Sequence, residues 1–267
     1  MKKSTKRKIG NRFKNLYIGL VYFFLYLPII VLIVFSFNES KMNITFTGFT
    51  FKWYGSLFEN RSLLEAFGNT ILIAIVSTLA SAIIGTLAAV GMSRYKFIGK
   101  NLIDKLLYIP VVIPEIVLGI ALLSVFSLIK LNLGLPTIIL SHITFSVPFV
   151  IITVRSRLSG FDKSVEEAAM DLGANRFKTF TQVTLPIMAP GVISGTMLAF
   201  TLSLDDVIIS YFTAGPGSNT LPLKIFSMIK TGVTPEVNVL STLIILATII
   251  VLAVATIVQI RNIKANS

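Results

Sequence analysis

The chain has 267 residues, of which 54% are apolar and only 13% are charged, and its mean hydropathy is +0.83. Because an ordinary soluble domain carries roughly 25% charged residues, this composition excludes a soluble globular protein. The net charge of +12 comes from Lys and Arg residues that lie between long uncharged stretches, which indicates membrane topology rather than binding to nucleic acid.

The N-terminal part of the chain is a basic segment followed by an apolar run. Seven Lys and Arg residues lie within residues 1–14, and the charge-free run Asn15–Asn38 follows. This run is long enough to cross a hydrocarbon core, which takes about 20 residues, and no small-x-small cleavage site comes after it. We therefore predict an uncleaved signal anchor as the first membrane span, followed by an external loop.

Two further spans follow, and the second of them is interrupted. The charge-free run Ala66–Ser93 predicts span two, and Leu106–Ile129 has the length of span three, although it contains Glu115. Pro110 and Pro114 lie one helical turn apart just before this acid, so we expect the helix to kink or break there. Broken helices often line substrate paths in transporters, which makes Glu115 a candidate path residue.

The fourth predicted span is the charge-free run Leu131–Val154, which contains the single histidine, His142. Because the chain has no cysteine, it can form neither disulfides nor thiolate metal sites. The single histidine likewise excludes a metal cluster held by several histidines. We interpret His142 as a hydrogen-bonded interior residue, with a proton relay as the alternative.

A polar loop, residues 155–178, separates spans four and five. Ser164 and Glu167 have the spacing of a capping box, residues 165–172 favour a helix of about two turns, and Gly173 suits the left-handed position that ends it. A helix this short is marginal alone in water. We therefore expect it to dock on another surface, either a partner or its own bundle.

A second amphipathic segment begins at Asn175 and leads to Leu185-Pro186, where we expect the chain to turn into span five. That span, Thr179–Phe212, is interrupted by Asp205 and Asp206. Ionisable residues cost about 2.5–3.5 kcal/mol at membrane depth on insertion scales, so they usually face a bundle interior or a polar path.

The side chains of Asp205 and Asp206 point about 100° apart on a helix. Asp205 shares a polar face with Ser194 and Thr201, whereas Asp206 lies on a face of small residues suited to helix packing. We therefore favour Asp205, and Asp206 is a second candidate path residue, with local capping or pairing as its alternative. Tyr211, about one turn beyond, is placed to stack on an amine.

Acidic residues in the spans favour a cationic substrate over an anion such as phosphate or sulfate. Anions are bound by Arg, Lys or helix N-termini instead. The alternative is that these carboxylates pair with a partner subunit or lie in water near the outer membrane surface.

Two stripes of small residues suit close helix approach, with chance recurrence as the alternative. They are Gly85, Ala88 and Ala89 on span two, and Gly191, Gly195 and Ala199 on span five.

The run Val237–Ile260 predicts a sixth span. When the loops alternate across the membrane, 18 Lys and Arg residues fall on one side and 6 on the other. The positive-inside rule then places both termini and the segment Arg155–Lys178 in the cytoplasm. Because spans of this length must be helical, we predict an all-α polytopic membrane protein with six transmembrane helices and a short cytoplasmic helix between helices 4 and 5.

The loop between spans four and five holds a longer pattern. Glu167-Ala168-Ala169 is followed after three residues by Gly173, after nine more by Val183, and after one more by Leu185-Pro186. This resembles the EAA loop (E-A-A-x3-G-x9-I-x-L-P) of the permease subunits of bacterial ATP-binding cassette importers of the binding-protein-dependent type I family, with Val in place of Ile. Three further stretches resemble the second permease subunit of spermidine/putrescine importers: SHITFSVPFV (141–150), TLSLDDVIIS (201–210) and GPGSNTLPLKIFSMIKTGVTPEVN (215–238).

The resemblance implies how the chain is organised. Residues 1–65 would be a basic cytoplasmic N-terminus, the first transmembrane helix and an external loop. Residues 66–260 would be the permease core with five transmembrane helices, and residues 261–267 a cytoplasmic tail. It also implies a helix, capped by Ser164, that couples to a separate ATPase. The coupling residues would be Glu166, Glu167, Ala168, Ala169, Asp171, Gly173 and Arg176.

The resemblance further implies partners and a location. The partners would be a cassette ATPase, a second homologous permease, an extracytoplasmic polyamine-binding protein and the lipid bilayer, in the plasma membrane of a bacterium. ATP and magnesium would bind the ATPase and no cofactor would bind this chain. In agreement, the sequence has no G-x-x-x-x-G-K-[ST] motif, since Gly99-Lys100 has Arg94 where the upstream glycine belongs.

Other functions stay open at this point. A permease for another small organic solute has the same features, and a secondary transporter would couple ion entry through Glu115 and Asp205. A secondary transporter does not need a capped docking helix, so the predicted helix argues against this alternative. An intramembrane enzyme is the weakest alternative, because the sequence has neither an H-E-x-x-H nor a G-x-S-x-G motif.

Overall fold

The computed structural model describes residues 2–41, 44–162, 164–229 and 232–265. Within these ranges the chain is helical, with one isolated β-bridge between Asn38 and Phe49. A π-helical turn, Phe180–Thr184, accompanies thirteen α-helices in the described ranges. The α-helices are α1 (Lys2–Phe35), α2 (Lys52–Glu59), α3 (Arg61–Arg94), α4 (Lys100–Leu106), α5 (Ile109–Val112), α6 (Glu115–Leu128), α7 (Leu135–Leu158), α8 (Ser164–Asp171), α9 (Arg176–Thr179), α10 (Leu185–Asp205), α11 (Ile208–Thr213), α12 (Leu221–Met228) and α13 (Pro235–Ala265).

Several helices are long and apolar enough to cross a membrane. Four do so as single helical segments, and a fifth span results if the bent pair Lys100–Val112 and Glu115–Leu128 is taken as one. The four are Lys14–Phe35, Arg61–Arg94, Leu135–Leu158 and Arg176–Asp205. The predicted sixth span, Val237–Ile260, extends beyond the side chains that the structure describes, and its described apolar part is Pro235–Ile250.

The fourth span has the same length as its charge-free run, 24 residues, but α7 begins and ends four residues later in the chain. The prediction ended at Val154 because Arg155 follows, but α7 continues to Leu158. The guanidinium of Arg155 forms an ion pair with Asp104 of α4, so the charge is neutralised and the helix has no reason to stop there.

The expected turn at Leu185-Pro186 is wrong. The chain runs from α9 through the π-helical turn Phe180–Thr184 into α10 without leaving helical geometry, and Arg176–Asp205 is one 30-residue apolar segment. Proline lacks an N–H and crowds the carbonyl four residues earlier. A π turn just before Pro186 widens the helix at that point, which removes the need for a turn.

The chain divides into two compact units, Met1–Arg61 with Ser227–Ser267, and Ser62–Phe226. In the first unit, the indole N–H of Trp53 donates to the carbonyl of Asn38 over 2.7 Å. The hydroxyl of Ser56 on α2 donates to Glu236 of α13, also over 2.7 Å. These hydrogen bonds tie the segment after α1 to the helices of the same unit.

The second unit has a core where α3, α7 and α10 meet. Its two stripes of small residues allow close packing, as the packing interpretation predicted. A Cβ added to Gly85 would lie 2.7 Å from Val150, and one added to Gly195 would lie 3.2 Å from the Cα of Val150. The core residues are Ala89, Met92, Val150, Ile151, Val154, Leu158, Met188 and Ala199.

Candidate functional site

The third span is broken just before Glu115, as its prolines predict. α5 ends at Val112, α6 begins at Glu115, and the two halves of the span are bent by 112°. Pro114 has an extended ψ of 134°, which ends one helix and allows the next to start in a new direction. Glu115 therefore begins a helix, and its side chain is exposed.

The fifth span is broken at the second predicted acidic position. α10 ends at Asp205, and Asp206 has an extended ψ of 126° before α11 begins at Ile208. The carboxylate of Asp206 accepts hydrogen bonds from the backbone N–H groups of Ile209 (3.2 Å) and Ser210 (2.7 Å), so it caps α11. Asp206 is only 8% exposed and makes the local contacts that were its alternative role, whereas Asp205 is exposed.

His142 of α7 packs against this second break and is fully buried. Its Nδ1 lies 2.7 Å from the Oγ of Ser203, and its Nε2 lies 3.2 Å from the Oγ of Ser210 and 3.3 Å from Asp206 Oδ2. The interpretation of His142 as a hydrogen-bonded interior residue is confirmed. Its pairing with Asp206 was not predicted, because nothing in the sequence links two residues 64 positions apart.

The two breaks lie side by side because α11 packs against α6. A Cβ added to Gly119 would lie 2.7 Å from Phe212, so only a glycine lets the two helices approach this closely. The charges of Asp205 and Asp206 interact with the charge of Glu115 across this contact. Tyr211 is 62% exposed and meets Phe212 edge to face at 5.4 Å.

The structure thus brings the predicted acidic residues of spans three and five together, with two exposed carboxylates and one buried carboxylate. Within the described part of the chain, no group of three or more His, Asp and Glu side chains is placed to hold a metal ion. Exposed carboxylates beside an aromatic ring are suited to an organic ammonium group, which both can attract.

The short helix of the loop, α8, has a well-formed end at each side. The N–H of Ser164, its first residue, donates to the carboxylate of Asp162 over 3.0 Å, and this bond holds the pKa of Asp162 below its ordinary value. The side chain of Asp162 therefore supports the N-terminus of α8, whereas Ser164, which the sequence predicted as the capping residue, is instead the first residue of the helix. Gly173 has a φ of +90°, and its N–H donates to the carbonyl of Met170 at the C-terminus.

One face of α8 is bound to its own bundle through Glu166. Its carboxylate lies 2.6 Å from the guanidinium of Arg94 at the end of α3, and it accepts a hydrogen bond from the hydroxyl of Thr184. The guanidinium of Arg94 also lies 5.3 Å from the ring centre of Phe161. Arg94, Glu166 and Thr184 border a cavity of about 450 Å³.

The opposite face of the loop is exposed and partly apolar. Leu172 is 90% exposed and Phe177 is 75% exposed. Apolar side chains this accessible beside charged residues mark a surface suited to a protein partner. The coupling residues predicted from the resemblance lie as follows: Glu167, Ala168, Asp171, Gly173 and Arg176 are exposed, and Glu166 and Ala169 are half-buried.

A family model, the binding-protein-dependent transport system inner membrane component, matches residues 81–262. The chain belongs to this family. It is 44% identical over 237 residues to the spermidine/putrescine transport system permease protein PotC of Escherichia coli (strain K12), which covers 89% of this chain and 90% of that protein. It is 42% identical over 229 residues to the putrescine transport system permease protein PotI of the same organism, covering 83% and 82% of the two chains.

A solved structure supports the fold of this family member. A chain of the bacterial ABC transporter involved in import of the acidic polysaccharide alginate has a TM-score of 0.72 with 17% identity, and the match covers 94% of this chain and 96% of that one. The family and the several apolar helices show a multi-pass membrane protein. The predicted membership of the importer permease family is therefore confirmed.

Proposed function

We propose that this chain is one of two permease subunits of an ATP-driven importer that moves polyamines such as spermidine and putrescine into the cell. The observation that supports it best is the pair of exposed carboxylates, Glu115 and Asp205, at two adjacent helix breaks. Polyamines carry several positive charges that such a pair attracts. The relatives PotC and PotI are named for the transport of the same compounds.

The proposal includes six spans with both termini in the cytoplasm, which places α8 on the cytoplasmic side. There α8 would dock on a cassette ATPase, which binds ATP and magnesium, while this chain is not an enzyme. A second permease would complete the path, and an extracytoplasmic binding protein would deliver the polyamine. The exposed Leu172 and Phe177 support a docking role for the loop.

Uptake of labelled spermidine by the assembled transporter tests the path. Neutralising substitutions, Glu115→Gln and Asp205→Asn, remove charge at nearly constant volume. We expect each to lower uptake by about fivefold to a hundredfold at equal membrane abundance, because the cation loses a close opposite charge. The matched control is Glu65→Gln, which neutralises an exposed carboxylate near the start of α3 and should keep uptake within about twofold.

Unchanged uptake in both path variants would contradict the proposed path. If the chain belongs to a permease for another small organic solute, an excess of that solute would abolish spermidine uptake by the unsubstituted transporter. A secondary transporter using Glu115 and Asp205 would appear as uptake that an ionophore abolishes in vesicles lacking any ATPase. ATP-dependent uptake that resists the ionophore is the result we expect.

A further inference from the structure

The ring of His142 bridges the break in the fifth span. Ser203 lies on α10 before the break and Ser210 on α11 after it, and the two ring nitrogens contact one hydroxyl each, at 2.7 and 3.2 Å. The Nε2 also lies 3.3 Å from Asp206 Oδ2, within the break itself. Side chains of both His142 and Asp206 are at most 4% exposed, so water does not screen this contact.

Counting hydrogens along the neighbouring hydroxyls fixes one proton of the ring. The Oγ of Ser77 donates to the carbonyl of Ile73 over 2.7 Å, and it lies 3.2 Å from the Oγ of Ser203. Since a hydroxyl has one hydrogen, Ser203 is the donor of that second contact. The contact of 2.7 Å between Ser203 and His142 then requires a hydrogen on Nδ1.

The other nitrogen faces an acceptor. Nε2 lies 3.3 Å from Oδ2 of Asp206, and an ionised carboxylate can only accept hydrogen bonds, so this close approach favours a hydrogen on Nε2 as well. A ring with a hydrogen on each nitrogen is an imidazolium cation. A charged ring satisfies both hydroxyl contacts and the approach to Asp206, whereas a neutral ring that accepts from Ser210 at Nε2 places a lone pair against the carboxylate.

We propose that His142 is the counter-ion of Asp206, and that this buried ion pair positions the break in the fifth span. The pair leaves Glu115 and Asp205 as the carboxylates available to a cation, which rests on the proposed function. Of the described groups, those that face His142 are Asp206, the hydroxyls of Ser203 and Ser210, and the ring edge of Phe145 at 5.5 Å. His142 acts here as a positioning residue that does not contact the substrate.

A double substitution separates the charge of the ring from its hydrogen bonds. His142→Gln keeps an amide N–H that can donate to Asp206 but carries no charge, and Asp206→Asn takes the counter-ion away from the ring. We expect His142→Gln and Asp206→Asn each to lower spermidine uptake by about tenfold or more at equal membrane abundance. The double variant, a neutral hydrogen-bonded pair, should recover to within about threefold of the natural protein.

Ser141→Ala is the matched control, because this neighbouring residue is equally buried and its hydroxyl bonds only within α7, to Thr137. Its uptake should stay within about twofold of the natural protein. Normal uptake by His142→Gln would overturn the proposal, since hydrogen bonds alone would then be enough. A double variant no better than the weaker single variant would overturn it too, because Asp206 would then act through its own charge on the path.

Nitrogen NMR tests the ion pair without any transport. The transporter is labelled with ¹⁵N-histidine and purified through a histidine-free tag. Because this chain has one histidine, the signal of His142 is identified as the one that changes in the Asp206→Asn complex. We expect two nearly equal ring shifts in the natural complex, as in an imidazolium, and two widely separated shifts in the variant. A neutral ring in the natural complex would overturn the proposal even where the path variants behave as expected.

Discussion

Arg94 and Glu166 form the contact that attaches α8 to the end of α3. Both side chains are 16% exposed, so the pair is largely shielded from water and salt. Removing the carboxylate leaves a charged guanidinium with only the ring of Phe161 beside it, and losing a hydrogen bond to a charged group costs about 1.5–3 kcal/mol.

We therefore expect Glu166→Ala to raise hydrogen exchange of the α8 amides by about tenfold to a hundredfold in the assembled transporter. Asp171→Ala is the control, since this exposed acid lies at the C-terminus of the same helix, where a negative charge is unfavourable. Equal exchange in the two variants would mean that the ion pair does not attach the helix.

The C-terminal end of α8 depends on a backbone conformation rather than on a side chain. Gly173 has a φ of +90°, a region that costs L-residues about 1–2 kcal/mol, and the N–H of Ala174 donates to the carbonyl of Ala169 to close the motif. A β-branched residue at this position changes the direction in which the chain leaves the helix.

Gly173→Val should therefore lower spermidine uptake and co-purification of the ATPase by about fivefold or more, while the two permeases still assemble. Gly160→Val is the matched control, because this glycine of the same loop also has open space around it but no positive φ. Gly160→Val should keep both spermidine uptake and co-purification of the ATPase. A normal ATPase complex with Gly173→Val would exclude a docking role for this end of the helix.

At the scale of the whole molecule, the charge distribution predicts which loops face the cytoplasm. The natural chain has no cysteine, so a single introduced thiol can be labelled without background. We expect Glu59→Cys to react with a membrane-impermeant maleimide in intact spheroplasts, and Ser159→Cys to react only after permeabilisation. The reverse pattern would invert the topology and separate α8 from any cytoplasmic ATPase.

Local sequence signals predicted much of this fold. Charge-free runs located three of the four single-segment spans in the described part of the chain, Pro110 and Pro114 predicted a break before α6, and Gly173 predicted the end of α8. Each signal acts on the backbone within a few residues, so its effect does not depend on the rest of the chain. The different exposure of Asp205 and Asp206 is also a local matter, because neighbouring side chains point in different directions.

The remaining features depend on contacts between distant residues. The pairs Arg94 with Glu166 and His142 with Asp206 join segments more than 60 positions apart, and no periodicity in one sequence selects such partners. The continuous helix through Pro186 was missed for a related reason. A π turn is rare, and the sequence rule for proline considers only an ordinary α-helix.

That continuity has a mechanical consequence. The segment Arg176–Asp205 joins the loop to the acidic break as one helical rod of 30 residues, which is about 45 Å long at 1.5 Å per residue. A rod of that length works as a lever: a tilt of about 5° at its loop end would swing the tip that bears Asp205 by about 4 Å. A small rocking motion at the loop end would thus be enough to move the carboxylate of Asp205 by more than the length of a hydrogen bond.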